Sequence, residues 1–498
     1  MINKYVVENR RNLLLLRRVQ FLLFSLSVFL LVGSVLSDKL VISIPIILYL
    51  TAFSIVILYM KPDKVSDFLD PRMILLISFT IYNLALPFLF AVDRLNTKEL
   101  KLFPDYAPFT IATILNSSIA STFYFFGLVL GVSSFTFIRA RPAFLKPAVT
   151  EENSYSYFKY WLSISVAASL IRYLPYVILG SPRTIYALGI TGSLEEVYSV
   201  LTSNFALDIL RRVFTDLVWV ISFPLAYWGM LKSKKVRTSQ RFYFWLYVIA
   251  INSYAVFVTL RRLRSIMIIV ALCSVYFAVK QNRNHTLEKN VIRVIVIILL
   301  VLFVFSIFRS NLFVLFEHGI QAFLEDVNST FSRGPGIQYR NEFSGVYSVL
   351  LSAIQYSDNS RFAGSYIHGI LYPIPVVNDV LQFVGLEESF SPTQRWLMNQ
   401  YSEVFEAGGG LSFSPVAEAF LAYGYLGCVF FGFLFGAFFG FFGKSKNLFT
   451  TIMLAVLAFG FPRSSSSVFF YQLFNMSFYF LIFNSLFYVL IAPRRKGR

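Results

Sequence analysis

Apolar positions fall into runs of roughly the length that carries a helix across a bilayer core, about 20 residues. Twelve such runs lie near 20–36, 40–60, 73–92, 108–138, 158–179, 213–231, 242–260, 265–280, 291–308, 415–443, 447–462 and 466–492, most bounded by Lys, Arg, Pro or Asn. Inside lipid each segment must satisfy its own backbone, which favours helices. The ten-residue alternating segments of a membrane barrel are absent. The pattern predicts an all-α polytopic membrane protein with about 12 transmembrane helices. The first run keeps its place as helix one: its charged lead (Lys4, Arg10, Arg11, Arg17, Arg18) is long, and no clear small-residue cleavage site follows.

The gaps between runs are short except one. Residues 310–413 form a large loop, which divides the chain into an N-terminal membrane bundle (1–309), the loop itself (310–413) and a C-terminal group of helices (414–498). Long loops without structure are rare, so this one is expected to fold and to carry function. Its apolar stretches, 312–324, 345–354 and 367–384, are too short or too interrupted to span and predict interfacial or capping helices.

Composition agrees with this frame. Hydrophobic residues make up 57% and charged residues 14%, whereas a soluble chain needs about a quarter of its residues charged. A net charge of +18 raises the question of nucleic acid, but the distribution answers it. With the N-terminus inside, 27 of the 44 basic residues fall on the tails and on the short loops that alternation makes cytoplasmic. The excess is a topology signal, and no nucleic-acid partner is expected. The same alternation puts the large loop on the non-cytoplasmic side. Cys273 and Cys428 fall inside predicted helices and read as small packing residues.

The remaining basic residues carry more chemistry. Arg211-Arg212, Arg309 and above all Arg261-Arg262-Leu263-Arg264 cluster at outer helix ends. Arginine at a helix end can simply snorkel to headgroups. Three guanidiniums in a short outer turn with no acid nearby can also grip a pyrophosphate by forked hydrogen bonds. The loop is acidic and interleaves Tyr339, Tyr347, Tyr356, Tyr366, Tyr372 and Trp396 with its charges, a mixture suited either to sugars or to an ordinary interfacial cap. No Gly-Lys phosphate loop appears. His285, His318 and His368 lack partners at ligand spacing, so no metal and no cofactor are expected. Gly408-Gly409-Gly410 predicts a turn, and Gly432, Gly436 and Gly440 predict a helix-packing face. Glu418 follows Ser414-Pro415 in the first turn of helix ten. A carboxylate there either caps its helix or faces a polar site at membrane depth. Arg172, inside helix five, poses the same choice.

Three stretches resemble the Wzy-type O-antigen polymerases, the oligosaccharide repeat-unit polymerases of bacterial surface polysaccharide synthesis. They are Arg340-Asn341-Glu342-Phe343; Gly364-Ser365-Tyr366 leading to Ile374-Pro375; and Gly409-Gly410 with Ser414-Pro415, Ala417-Glu418, Gly424 and Gly427. The architecture resembles the family over most of the chain, the local motifs over about 340–430. One departure is Val376-Val377-Asn378, where family members often have a basic residue after the Ile-Pro pair. The resemblance implies a metal-independent C-type glycosyltransferase fold in the bacterial inner membrane. The growing glycan would leave undecaprenyl pyrophosphate for a sugar hydroxyl of a new lipid-linked unit at the periplasmic face. Its partners would be the lipid-linked oligosaccharide, membrane lipids and a chain-length regulator protein. On this resemblance Arg264, Arg340 and Arg395, with Arg261 and Arg262 behind them, bind pyrophosphate. Glu418, then Glu342, is the base, and Tyr366 and His368 line the sugar site. The alternatives are an O-antigen ligase, whose His-rich loop motif is not seen here, and a lipid-linked oligosaccharide flippase or transporter, for which an internal repeat is lacking.

Overall fold

The computed structural model describes residues 40–60, 70–91, 109–135, 153–178, 216–257, 262–280, 318–325, 342–356, 365–371, 392–400, 412–443 and 447–490. Among these no strand occurs. In chain order the helices are α1 (Leu40–Met60), α2 (Pro71–Ala91), α3 (Ile111–Phe135), α4 (Ser154–Ile178), α5 (Asp216–Lys232), α6 (Thr238–Phe257) and α7 (Arg262–Lys280). In the loop, residues 318–325 are helical, followed by α8 (Glu342–Gln355), α9 (Ser365–Leu371) and α10 (Pro392–Gln400). The C-terminal group is α11 (Pro415–Gly443), α12 (Leu448–Gly460), a 3-10 turn (Phe461–Arg463) and α13 (Ser466–Leu490). Ten of the twelve apolar runs therefore coincide with helices; those at 20–36 and 291–308 lie outside the described residues. Among the described residues three helices, Ile111–Phe135, Pro415–Gly443 and Ser466–Leu490, are long and apolar enough to cross a membrane.

Helix ends meet in pairs among the described residues. Gly443, at the end of α11, lies against the Arg72 side chain at the start of α2, where Arg72 forms a bidentate pair with Asp70, the cap of that helix. Met267, near the start of α7, packs on Gly460 at the end of α12. α3 and α11 run parallel in register: Gly432 faces Tyr124, Gly436 faces Leu128 and Gly440 faces Val132. The glycine face expected from the sequence is thus a packing face, answered by Gly127 and Gly131 on α3. Small residues let the two backbones meet directly, which replaces the hydrophobic drive that lipid cannot supply.

Two expectations change. The stretch 345–354 is not a cap on the surface. α8 is buried against α2, α3 and α11, with Tyr347, Val349, Leu350 and Leu351 wholly enclosed, and the Tyr347 hydroxyl lies 3.3 Å from Ser118 Oγ of α3. Helix ten is not one rod either. At Tyr423 and Gly424 the backbone leaves the helical region, Gly424 at φ +60°, where glycine is favoured. Val416 and Cys428 stand 12 residues apart, yet the Cys428 thiol reaches the Val416 carbonyl at 3.9 Å. A straight helix would separate them by about 18 Å. The segment Pro415–Ala422 is therefore folded back along the one that follows the break.

Candidate functional site

The fold-back decides where Glu418 goes. Instead of sitting at the tip of a long helix, it lies in the short arm of α11, beside Tyr124 near the middle of α3. Glu418 is 1% exposed. A bare carboxylate there would be very costly, and the chain supplies donors from two distant segments. Ser365 Oγ donates to Oε1. Ser466 Oγ donates to the same oxygen at 2.6 Å, and the Ser466 backbone N–H donates to Oε2 at 2.6 Å. Hydrogen bonds to an ionised acceptor are about twice as strong as neutral ones. Glu418 does act as a helix cap, but for α13 rather than for its own helix: it takes the first N–H of α13, where orphan amides and the helix dipole favour negative charge.

The same contacts dock α9. Ser365 and Gly369 are one turn apart on α9, and a Cβ at Gly369 would fall on Ser466 Oγ and 2.8 Å from the Ser467 nitrogen. Only glycine lets α9 lie this close to the start of α13. On the α11 side, the Tyr366 ring stacks on Phe431 with centroids 3.4 Å apart and planes within 5°. Burial, reinforced by the Glu418 charge, pushes the Tyr366 phenol well above its ordinary range. Neither the Tyr366 nor the Tyr124 hydroxyl has a hydrogen-bond partner within the described protein.

His368 is half-buried on the same short helix. Burial first, and the positive charge of Arg395 second, hold its imidazole below the usual range. Arg395 is half-buried on α10. Trp396, next to it, meets Phe413 edge-on at 5.8 Å, which ties α10 to the segment leading into α11. Arg463, in the turn before α13, donates from Nη2 to Ser412 Oγ at 2.8 Å.

Of the residues expected from the sequence, Tyr366 therefore lies beside Glu418, and His368, on the same helix, near Arg395. Arg262 and Arg264 lie in the first turn of α7. Their side chains are outside the described residues, but Met267, one turn on, touches Gly460, next to the Phe461–Arg463 turn. Glu342 is the first residue of α8, its side chain likewise not described. Arg261 and Arg340 lie outside the described residues. Sequence reasoning passed over Ser365 and Ser466 as ligands of the carboxylate, and Arg463. The signal was there for two of them: Pro462-Arg463 followed by Ser464-Ser465-Ser466-Ser467 before an apolar run is a helix-start signature.

A family model described as "O-antigen polysaccharide polymerase Wzy" matches residues 19–495. No curated protein matches the chain, and no solved structure does.

Proposed function

The chain belongs to the O-antigen polysaccharide polymerase Wzy family, and from that premise we propose a specific transfer. The growing glycan leaves an undecaprenyl pyrophosphate carrier and joins a sugar hydroxyl of a new lipid-linked repeat unit, at the periplasmic face of the inner membrane. The acceptor oxygen bonds to the anomeric carbon, the bond from that carbon to the pyrophosphate breaks, and the acceptor proton passes to a carboxylate. Negative charge grows on the departing pyrophosphate, and fixed cations aimed at it lower the barrier. Arg264, Arg261, Arg262, Arg340 and Arg395 are the cations proposed for this work, and Tyr366 and His368 are proposed to contact sugar. Of the two carboxylates, Glu342 is proposed as the group that meets the acceptor proton, since both oxygens of Glu418 are already engaged in a closed setting. Glu418 is proposed to act from behind, on orientation.

One observation carries this reading. Tyr366, from the large loop, lies beside a carboxylate recessed next to the middle of α3, and His368 on the same short helix has Arg395 of α10 as its charged neighbour. That arrangement suits a substrate whose pyrophosphate is anchored by a lipid tail. Incubating the purified protein with lipid-linked repeat units and separating the products by size tests it: a ladder is expected. Movement of units across vesicles without lengthening would indicate a flippase, and transfer to lipid A-core alone a ligase. Orientation is tested separately. A cysteine at Asn359, in the large loop, should react with an impermeant thiol reagent in intact cells whose outer membrane is permeabilised. Reaction only after lysis would reverse the topology.

A further inference from the structure

We propose that Glu418 is a positioning residue: with Ser365 and Ser466 it forms a clasp that fastens the loop helix α9 to the start of α13. This sets the direction of Tyr366 and His368. The proposal deepens the polymerase reading and rests on it.

Three observations meet here. First, the carboxylate is held from two sides, by Ser365 of the loop and by the hydroxyl and amide of Ser466. A group that must receive a substrate proton needs a free lone pair facing the substrate, and 1% exposure offers little approach. Second, α9 is only seven residues long, far too short to hold its own shape. Its order comes from what it touches. Those contacts are the carboxylate, the close approach at Gly369 and the Tyr366–Phe431 stack. Third, His368 lies on α9 between these anchors and shares its electrostatic surroundings with Arg395 of α10. Loosening the clasp therefore moves the proposed sugar contacts relative to a proposed pyrophosphate arginine. A misplacement of about 1 Å in a reacting pair can cost about a hundredfold in rate.

The test replaces the clasp by a covalent one. Both serine hydroxyls reach the same carboxylate oxygen, so Ser365→Cys with Ser466→Cys places two thiols within bridging range. A short bis-thiosulfonate spacer serves as an alternative bridge. Ladder formation is timed for wild type, for Glu418→Gln and for Glu418→Gln carrying both cysteines, oxidised and reduced. Glu418→Gln should slow polymerisation about a hundredfold. The bridge should restore most of that loss, and reductant should remove the gain. A bridged Glu418→Gln protein as slow as the unbridged one would overturn the proposal, because the carboxylate itself would then be needed in the reaction. Gly369→Ala provides a second route that leaves the carboxylate intact. It should push α9 off α13 and slow the ladder by a similar factor, with little further loss when combined with Glu418→Gln. A wild-type rate in Gly369→Ala would also overturn it. Should wild type itself give no ladder, the polymerase reading fails, and the clasp is then judged by cross-linking. Failure of the two cysteines to couple under either bridge would remove it.

Discussion

Replacing Gly436 by alanine tests a direct backbone contact between two helices. Gly436 of α11 faces the backbone of Leu128 on α3, and a Cβ built there lies 2.9 Å from the Leu128 carbonyl carbon and from its Cα. Non-bonded carbons sit best at about 3.5–4.0 Å, so the methyl is about 0.6–1.1 Å too close. Backbone stands on both sides of the contact, so no rotamer change relieves it, and the two helices have to part. Overpacking of this kind costs about 1–3 kcal/mol. Alanine also gains about 1 kcal/mol over glycine in a helix, which could hide the clash. Gly345→Ala removes that ambiguity: Gly345 is helical in α8, and nothing lies within 4 Å of its Cβ position. The propensity gain is common to both variants, so the difference between them isolates the clash. Thermal unfolding in one detergent should place Gly436→Ala below Gly345→Ala. The ladder rate should fall too, because α3 carries Tyr124 and α11 carries Glu418. Equal melting temperatures would refute the claim that backbone contact through glycine joins these helices.

Three further outcomes are expected. Tyr366→Phe should leave thermal stability unchanged, since the hydroxyl has no partner among the described residues, while Tyr366→Ala should lower it by losing the stack on Phe431; a fall in Tyr366→Phe would expose a hidden hydrogen bond. His368 has a depressed pKa in the folded protein, so as pH falls the unfolded chain takes up the proton first, near about 6.5. Its contribution to stability is complete above that pH and is lost as pH falls through the lower folded value. The melting temperature of His368→Asn should therefore depend less on pH below about 6.5 than that of wild type, and parallel curves would contradict the assigned shift. Arg463→Ala removes both the bond to Ser412 and a positive charge three residues before Ser466. It should raise the KM for the lipid-linked substrate, with Arg463→Lys in between, and wild-type kinetics in Arg463→Ala would exclude Arg463 from the site.

Helix positions were legible because a membrane span is specified by length and composition. Leu40–Met60 and Pro415–Gly443 coincide with apolar runs to the residue. The direction of the chain inside a run was not legible. From Phe420 to Phe433 the sequence stays apolar and aromatic across the break, and hydropathy registers neither a reversal nor a turn. Gly424, at φ +60°, was the local sign, though glycine is common enough in membrane helices to pass as packing. The loop shows the same limit. The apolar residues of α8 indicated a buried face, but whether that face met lipid headgroups or the interior of the bundle depends on the shape of α2, α3 and α11, which no local window contains.

The site divides along the same line. An ionisable residue within an apolar run is conspicuous, so Glu418 could be singled out from the sequence alone. Its partners could not, because they stand 53 residues before it and 48 after it, and serine is common. Yet the partners settle what the carboxylate can do. Burying a charge requires donors, and here they come from a loop helix and from the first turn of the last helix. The fold-back of α11 makes this possible: a straight helix would carry Glu418 away from Tyr124 and Cys428, whereas the break returns it to the level where α13 begins. The same donors that make the carboxylate tolerable also commit it. Removing one of them leaves a buried carboxylate short of a partner, and at 1% exposure a substrate has little approach to it. A residue in that position is better suited to hold a loop helix in place than to exchange protons at every turn of the cycle.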